Sequence, residues 1–483
     1  MSTATAPPRR TRIVATIGPA CEDEATLRAM IAAGMDVARV NFSHGSYDAH
    51  AAVVERLRRI ASELDRPLAI LQDLQGPKIR LGPVPGDGRP ITPGDTLLLT
   101  ADPAATNGDA LPVQYAPLAR EIQPGGTILI DDGRIEVQAQ ATDDPLVTCR
   151  VVRGGTLRSF KGLNLPGATL SVPTLTEKDR ADAEWGVAQG VDAIALSFVR
   201  SSADLKALRE LIGEQSATGG RPLLLAKLEK HEAVEAFDDI LETADGIMVA
   251  RGDLGVEMPA PQVPLLQKRF IAAANAAGKP VITATQMLES MTEQAQPTRA
   301  EVSDVANAIF DGTDAVMLSG ETAVGRYPVE AVRMMDAIAR TAEQPRSGQD
   351  RRRRSTQGVT DAIAQVSVQL AEELDASAII CATTSGHTAR MVARYRPSAR
   401  IVAATHDATV WRQLSLTWGA TQLLGAKIDS TDELIEDRIV LAQRAGVVAA
   451  GDLVVLVAGV PVGQPGTTNM VKMHRLGDPV SLG

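Results

Sequence analysis

The sequence predicts an α/β protein whose first two thirds close into an eight-stranded barrel. Three observations lead to this fold class. Eight short apolar, β-branched runs alternate with helix-periodic segments up to about residue 340. One long interval rich in Gly, Pro and Asp separates the third run from the fourth, and the alternation resumes beyond residue 358.

The eight runs are predicted strands of a (β/α)8 TIM barrel. They lie at residues 12–15, 37–40, 68–71, 193–196, 223–226, 246–250, 281–284 and 315–318. Predicted helices between them include 24–33, 50–64, 203–214, 231–243, 265–277, 299–310 and 329–342. An open doubly wound sheet is the alternative. The barrel is favoured because there are eight runs and no dinucleotide-binding glycine pattern follows the first. We expect it to comprise residues 9–76 and 174–343.

Two further domains are predicted. Residues 77–173 form short alternating segments typical of a small β-barrel domain inserted in a βα loop, which places it over the barrel mouth. Residues 344–358 contain four consecutive arginines at 351–354. That run is either a targeting or nucleic-acid signal or a solvated linker, and its Pro, Ser, Gly and Gln neighbours favour the linker. Residues 359–483, with strands near 378–381, 401–404 and 453–457, are predicted to form an open-sheet α/β domain.

Composition excludes several classes of partner. The 483 residues carry a net charge of -10, which argues against nucleic-acid binding. No apolar run is long enough to cross a membrane, and the N-terminal residues lack the apolar segment of a secretory signal. Three scattered cysteines suit a reducing compartment, so a cytoplasmic location is expected. The six histidines show no zinc-ligand spacing.

Polar residues follow the predicted strands, where the carboxyl ends of barrel strands face one cavity. Arg39, Asn41 and Ser43 alternate along the second strand, and Lys227 and Glu229 along the fifth. Other strands run into Asp73, Ser197, the pair Arg251 and Asp253, Thr285 with Gln286, and Ser319 with Glu321. A Lys-x-Glu on a strand is often only a solvated pair. Two charge pairs at neighbouring strand ends favour a cation, Mg²⁺ or Mn²⁺, between Glu229 and Asp253.

The arrangement resembles a clamp for a phosphoryl group, built from Arg39, Lys227 and a divalent metal. No P-loop pattern is present, so a nucleotide would be held another way. Eight sequence blocks follow one another along the chain: TIGP at 16–19, RVNFSHG at 39–45, DLQGPKIR at 73–80, KGLNLP at 161–166, KLEKHE at 227–232, GIMVARGDLG at 246–255, ATQMLESM at 284–291 and MLSGETA at 317–323. Through these blocks, in this order, the chain resembles the pyruvate kinase family along nearly its whole length.

The resemblance implies phosphoryl transfer from phosphoenolpyruvate to ADP, giving pyruvate and ATP. It implies that Lys227 stabilises the transferring group, that Glu229 and Asp253 bind Mg²⁺, and that Arg39 binds the substrate phosphate. The backbone of Gly252 and Asp253 and the Thr285 hydroxyl would hold the substrate carboxylate. The implied nucleotide contacts are Asn41, Phe42, Ser43, His44, Arg80 and Lys161. The inserted domain would close as a lid, and water near Thr285 and Ser319 would protonate the enolate.

Many members of the family require K⁺, bound at positions that match Asn41, Ser43, Asp73 and the carbonyl of Leu74. This sequence carries Leu74-Gln75 and Lys78, as in the K⁺-independent branch. The physical interpretation is that the Lys78 ammonium supplies the monovalent charge. The alternative is a surface lysine beside an occupied K⁺ site.

The C-terminal domain carries a hydroxyl-rich segment after a strand, comprising Thr383, Thr384, Ser385, Gly386, His387 and Thr388. It is either an ordinary helix cap or a phosphate cradle. The resemblance favours a site for a phosphorylated effector such as a sugar phosphate or AMP, with GQPGTTN at 463–469, and implies a homotetramer. Two other functions stay open: a Mg²⁺ barrel acting on phosphoenolpyruvate or an enolate as a mutase or lyase, and a non-catalytic phosphometabolite sensor.

Overall fold

The computed structural model describes residues 9–102, 109–168, 170–213, 215–216, 219–344, 358–462 and 467–478. The chain begins with β1 (Arg12–Ile17), α1 (Glu24–Ala33), β2 (Val37–Asn41), α2 (Tyr47–Glu63) and β3 (Ala69–Asp73). The inserted segment contributes β4 (Arg89–Ile91), β5 (Thr96–Thr100), β6 (Leu111–Pro112), α3 (Leu118–Glu121), β7 (Thr127–Ile130), β8 (Ile135–Asp143), β9 (Leu146–Arg153), β10 (Gly155–Leu157) and β11 (Leu163–Asn164).

The rest of the chain returns to βα alternation. It continues with α4 (Glu177–Ala188), β12 (Ala193–Leu196), α5 (Ser202–Ile212), β13 (Gln215–Ser216), β14 (Gly219–Gly220), β15 (Leu223–Leu228), α6 (His231–Glu235), α7 (Phe237–Thr243), β16 (Gly246–Ala250), α8 (Arg251–Glu257), α9 (Val263–Ala277), β17 (Val281–Ala284), α10 (Arg299–Asp311), β18 (Ala315–Leu318), α11 (Gly320–Ala323) and α12 (Pro328–Ala342). The last elements are α13 (Val359–Glu373), β19 (Ala378–Ala382), α14 (His387–Ala393), β20 (Arg400–Thr405), α15 (Ala408–Gln413), β21 (Ala420–Leu424), α16 (Thr431–Arg444), β22 (Leu453–Gly459) and β23 (Thr468–Arg475).

The predicted barrel is confirmed. Eight strands close in the order β1-β18-β17-β16-β15-β12-β3-β2, and every neighbouring pair is parallel. Apolar side chains fill both its interior and the layer between strands and helices. All the strands therefore end at one mouth, which brings distant polar residues together.

Three barrel helices differ from the sequence prediction. The stretch expected at 231–243 is two helices, α6 and α7, that meet at Ala236. Helix α8 begins immediately after β16, so Arg251 and Asp253 lie on a helical turn and do not share one face of a strand. Helix α4 was missed because its buried positions include Asp179, Asp182 and Gly186, which give no apolar periodicity.

The inserted segment has its own apolar core. Six of its strands form a sheet in the order β11-β7-β8-β9-β5-β6, and β4 pairs with β10. Residues 79–82 connect the two edges of the larger sheet: Arg80 pairs with Gly162 beside β11, and Leu81 pairs with Val113 beside β6. Those pairs close the sheet into the small β-barrel that the sequence predicted.

The C-terminal region forms the predicted open sheet, in the order β21-β20-β19-β22-β23, with only β23 antiparallel. The arginine run at 351–354 lies outside the described residues, as do residues 463–466 of the GQPGTTN segment. Within the part of the chain that the structure covers, no helix has the length and apolar character needed to cross a bilayer.

Candidate active site

Four charged side chains from the ends of three strands, β2, β3 and β15, meet at the barrel mouth. The Arg39 Nε donates to Asp73 Oδ2 at 2.6 Å. The Lys227 Nζ lies 3.1 Å from Asp73 Oδ1 and 2.9 Å from Glu229 Oε1. Asp73 and Glu229 are each 1% exposed. The network therefore alternates cations and carboxylates away from bulk water, an arrangement that the barrel topology imposes on residues far apart in sequence.

Backbone and hydroxyl groups complete this network. The Lys227 Nζ also donates to Ser197 Oγ at 2.7 Å, and that hydroxyl donates to the carbonyl of Leu74 at 2.6 Å. The backbone N–H of Phe198 donates to Glu229 Oε2 at 2.7 Å. Arg39 Nη1 donates to Thr16 Oγ1 at 2.9 Å, whereas its Nη2 makes no hydrogen bond with the residues that the structure describes. Arg39 therefore keeps one donor nitrogen for a ligand.

The titration behaviour of the network follows from burial and charge pairing. Burial alone would raise the pKa of Asp73, but the Lys227 and Arg39 cations outweigh it and hold that pKa below its ordinary value. Burial alone would lower the pKa of Lys227, but Asp73 and Glu229 outweigh it and hold that pKa above its ordinary value. Burial raises the pKa of Glu229, and the nearby Asp253 carboxylate adds to the rise.

Asp253 lies in the first turn of α8, close enough to Glu229 for the two carboxylates to repel each other. The Asp253 carboxylate has no hydrogen bond or ion pair to the described part of the chain. There too, no group of three or more His, Cys, Asp and Glu is arranged to hold a metal ion. Two carboxylates suit Mg²⁺, which keeps water and substrate oxygens as its other ligands. A divalent cation would remove the repulsion, so the donor set fits.

Thr285 and Gly252 form a second polar corner of the mouth. Thr285 has a φ of 68°, and its hydroxyl accepts from the backbone N–H of Gly252 at 2.8 Å. A Cβ added at Gly252 would lie 3.4 Å from that hydroxyl oxygen. The Arg251 Nη2 donates to the carbonyl of Thr285 at 2.7 Å, and Arg251 Nη1 pairs with Asp304. The Arg251 guanidinium therefore supports the Thr285 loop.

Ser319 lies at the end of the eighth strand with a buried hydroxyl that has no hydrogen-bond partner in the described residues. Glu321, 2% exposed, accepts from the backbone N–H groups of Ser319 at 2.7 Å and Leu288 at 3.0 Å. It thereby connects the seventh and eighth strand ends. The sequence placed Glu321 at the mouth but gave no role for it, because its partners are backbone amides.

The expected nucleotide residues lie partly on the inserted domain and partly on the barrel. Within the inserted domain, Arg80 forms an isolated bridge with Gly162, the residue after Lys161, and Lys161 Nζ pairs with Asp131 at 2.8 Å. His44 lies on the barrel side, and burial together with Arg80 and Lys78 lowers its pKa. The Phe42 ring is 3% exposed and stacks on His50 at 4.3 Å. The buried side chain cannot contact a nucleotide. Only the Phe42 backbone therefore remains a predicted nucleotide contact.

The monovalent-cation positions also converge. The Asn41 side chain accepts from the backbone N–H of Ser43 at 3.2 Å, and the N–H of Phe42 donates to the Asp73 carbonyl. Lys78 is half-buried and lines the cleft between the two domains together with Asp253. Lys78 therefore lies between the inserted domain and the barrel.

The predicted effector segment lines a cavity in the C-terminal sheet domain. The cavity includes Thr383, Thr384, Ser385, His387 and Thr388. Gly386 has a φ of 77° and begins α14 without lining the cavity. His406, Lys427 and Arg438 also line it and were not expected from the sequence. These three follow other strands or lie on α16, so no local motif connects them to residues 383–388.

A parallel barrel with buried cations and carboxylates at its strand ends defines an enzyme that handles an anionic substrate. Comparison with known proteins narrows this class. Residues 8–332 match the family described as "Pyruvate kinase, barrel domain", and residues 361–474 match "Pyruvate kinase, alpha/beta domain". The chain belongs to the pyruvate kinase family, and it is therefore a phosphotransferase of glycolysis.

Comparisons with individual pyruvate kinases agree with this family assignment. The chain is 46% identical to pyruvate kinase from Geobacillus stearothermophilus, over 98% of this chain and 82% of the relative. It is 47% identical to pyruvate kinase 2 from Synechocystis, over 97% of this chain and 79% of that protein. A crystal structure of pyruvate kinase from Cryptosporidium parvum has a TM-score of 0.88 and 37% identity. That alignment covers 97% of this chain and 96% of the other.

Proposed function

We propose that the barrel mouth transfers the phosphoryl group of phosphoenolpyruvate to ADP, giving pyruvate and ATP. The observation that carries this proposal is the buried network of Arg39, Asp73, Lys227 and Glu229 beside the unpaired Asp253. Phosphoryl transfer depends on positioning and on neutralising charge over the transferring group. The barrel mouth is largely shielded from bulk water, holds two cations in fixed positions and has two carboxylates that can bind a metal. It can therefore both position the phosphoryl group and neutralise its charge.

Arg39 and Lys227 have different roles toward the phosphoryl group of the substrate. The free Nη2 of Arg39 can donate to a substrate phosphate while Asp73 and Thr16 hold its other nitrogens. All three Lys227 N–H groups already have acceptors, so a phosphoryl oxygen must displace one of them. Ser197 is the neutral acceptor of the three and is the least costly to lose. Lys227 can thus turn to the transferring group while both carboxylates keep its ammonium charged.

The divalent cation of the proposal is Mg²⁺ or Mn²⁺, held by Glu229 and Asp253. When bound, it supplies charge neutralisation at the phosphoryl oxygens. Thr285 and the Gly252–Asp253 backbone hold the substrate carboxylate in this proposal, and water near Thr285 and Ser319 protonates the enolate. The unpartnered Ser319 hydroxyl supports that assignment because it retains a donor for such a water.

ADP is proposed to bind between the barrel and the inserted domain. Arg80 and Lys161 approach it from residues 77–173, and Asn41, Ser43, His44 and the Phe42 backbone from the barrel. The electrostatic effect of Arg80, on the inserted domain, on the pKa of His44, on the barrel, supports this placement. Closure of the inserted domain would exclude water, which strengthens every electrostatic contact in the site.

Lys78 is proposed to replace the K⁺ that many members of the family bind near Asn41, Ser43, Asp73 and the Leu74 carbonyl. Its half-buried position in the cleft supports this. The cavity at residues 383–388 is proposed to bind a phosphorylated effector, supported by hydroxyls and by Lys427 and Arg438 in its lining. Residues 359–483 are then a regulatory domain, and the enzyme a homotetramer.

A coupled assay tests the proposed reaction. Pyruvate and ATP should form in equal amounts from phosphoenolpyruvate, and only when ADP and Mg²⁺ are both present. Pyruvate release without ADP would instead indicate a lyase or a phosphatase. Binding of phosphoenolpyruvate without turnover would indicate a sensor.

A further inference from the structure

The inserted domain joins the barrel through two chain segments, and helix α4 begins directly after the second of them. The first hinge is residues 76–77 and the second is residues 173–176. The face that α4 buries is polar, with Asp179 fully buried and Asp182 1% exposed. Burying two carboxylates is costly unless each is fully hydrogen-bonded, so their partners indicate what the helix holds.

Asp179 bonds to both hinges. Its Oδ1 accepts from the backbone N–H of Gly76, in the first hinge, at 3.0 Å. Its Oδ2 accepts from the backbone N–H of Thr176, in the second hinge, at 3.0 Å and from the Thr176 hydroxyl at 2.5 Å. The Thr176 contacts form an ordinary capping box at the start of α4. The bond to Gly76 is additional, because it connects the cap to a segment about 100 residues earlier in the chain.

The first hinge has little room to move independently of the barrel. Gly76 has a φ of 67°, and a Cβ there would lie 2.7 Å from a ring atom of Phe198. The backbone of that same Phe198 donates to Glu229. The position of Gly76 is therefore fixed by the Asp179 carboxylate on one side and by the active-site strand end on the other.

The next turn of α4 holds the barrel side of the cleft. Asp182 accepts from the Tyr47 hydroxyl at 2.8 Å and from Lys178 Nζ at 2.5 Å. The same ammonium donates to the carbonyl of Phe42 at 2.8 Å. Trp185 stacks on the Tyr47 ring at 5.7 Å. One face of α4 thus fixes residues 41–47, and its first turn fixes both hinges.

We propose that Asp179 is a positioning residue for phosphoryl transfer. Its carboxylate ties both hinges of the inserted domain to the helix that also holds residues 41–47. This fixes the proposed ADP contacts on the inserted domain in position relative to those on the barrel. The inference rests on the proposed function, because it assigns ADP to the cleft between the inserted domain and the barrel.

The test is Asp179→Asn, which keeps the shape of the side chain but leaves one acceptor oxygen. An amide can accept from Gly76 or from Thr176, and its NH₂ then faces the other backbone donor. We expect the KM for ADP to rise about tenfold, because losing one hinge contact loosens the spacing between the proposed ADP contacts of the two domains. The KM for phosphoenolpyruvate should change less than about threefold, because its proposed contacts lie on the barrel alone.

Glu301→Gln is the matched control. Glu301 forms the same kind of capping box at the start of α10, accepting from the Thr298 N–H at 2.7 Å and from the Ser290 N–H at 2.7 Å. It contacts neither hinge. The control should lose similar stability and leave both KM values unchanged. Thr176→Val is a milder second variant that removes only the hydroxyl shared with Asp179, with an expected rise of about threefold in the KM for ADP.

A distance measurement provides a readout that needs no turnover. The native Cys21, Cys149 and Cys381 are buried, so spin labels can be directed to introduced cysteines. Val152 on the inserted domain is 48% exposed, and the Arg333 side chain on α12 is 63% exposed. Labels at Val152→Cys and Arg333→Cys should give a distance distribution that broadens in Asp179→Asn and not in Glu301→Gln.

The outcomes separate the two proposals. Equal rises in both KM values with an unchanged label distribution would overturn the positioning role and leave Asp179 as a purely structural cap. An unchanged KM for ADP in a folded Asp179→Asn would overturn it as well. Failure of the wild type to make ATP from phosphoenolpyruvate would refute the proposed function, and the label distances would still decide whether Asp179 sets the inserted domain.

Discussion

Replacing Lys227 with methionine is the sharpest single perturbation of the site. Methionine retains much of the length and apolar character of the stem but removes the ammonium that lies between Asp73 and Glu229. If Lys227 neutralises the transferring group, its loss removes one preorganised donor from the transition state. Such a loss typically lowers kcat by about 10²–10³, or roughly 3–4 kcal/mol in the barrier.

Stability should fall as well, and the structure indicates where. Asp73 keeps Arg39 at 2.6 Å, whereas among the residues that the structure describes Glu229 keeps the N–H of Phe198 at 2.7 Å and no cation. Breaking a buried ion pair costs about 3–5 kcal/mol when the remaining charge stays unpaired. Burial already raises the pKa of Glu229, so in the variant it can take up a proton instead. The stability loss should therefore be smaller in mildly acidic than in alkaline buffer.

The assay is steady-state kinetics with phosphoenolpyruvate, ADP and Mg²⁺, paired with urea unfolding at two pH values. Lys268→Met is the control, since the Lys268 side chain is 57% exposed and pairs with Asp311, which is not part of the Arg39–Glu229 network. The control should retain full activity. A kcat for Lys227→Met within about tenfold of the wild type, in a folded protein, would refute the role given to this residue.

Three further perturbations test other parts of the site. Glu229→Gln and Asp253→Asn should each weaken Mn²⁺ binding by tenfold or more in an electron paramagnetic resonance titration, and unchanged affinity in both would exclude these ligands. In tetramethylammonium buffer the wild type should stay active without K⁺, whereas Lys78→Glu should require it; near-total loss of wild-type activity would contradict the Lys78 interpretation. Burial alone would raise the pKa of Asp36, but Arg9 and Arg12 outweigh it and depress that pKa, so its stabilisation exists above the ordinary pKa of 3.8 and is lost as pH falls through the lower folded value. Asp36→Asn should therefore destabilise at neutral pH, and its deficit in urea unfolding should shrink in acid; a deficit independent of pH would contradict this.

Much of the fold could be predicted from the sequence because periodicity and strand count reflect burial directly. The runs at 12–15 and 193–196, for example, are the cores of β1 and β12. The closed order of the barrel then brings Arg39, Asp73, Lys227 and Glu229 together without further information. What the sequence showed of the site was therefore the set of residues that a parallel barrel must place at one mouth.

The other features of the fold and the site depend on contacts between segments that are distant in the chain. Such contacts leave no local pattern in the sequence. Helix α4 buries Asp179 and Asp182, so it shows no apolar face from which the sequence could predict it. The partners of Glu321 are backbone amides of other segments. The cavity beside residues 383–388 depends on Lys427 and Arg438, which lie far along the chain. Each of these features depends on which segments meet in three dimensions.

The measurement that tests the central claim most directly is the stoichiometry of the wild-type reaction. Purified protein with phosphoenolpyruvate, ADP and Mg²⁺ should form one ATP for each pyruvate, and chelating the divalent cation should stop both together. Pyruvate without ATP, or turnover that persists after the cation is removed, would contradict the account of the barrel mouth as a metal-assisted phosphoryl-transfer site.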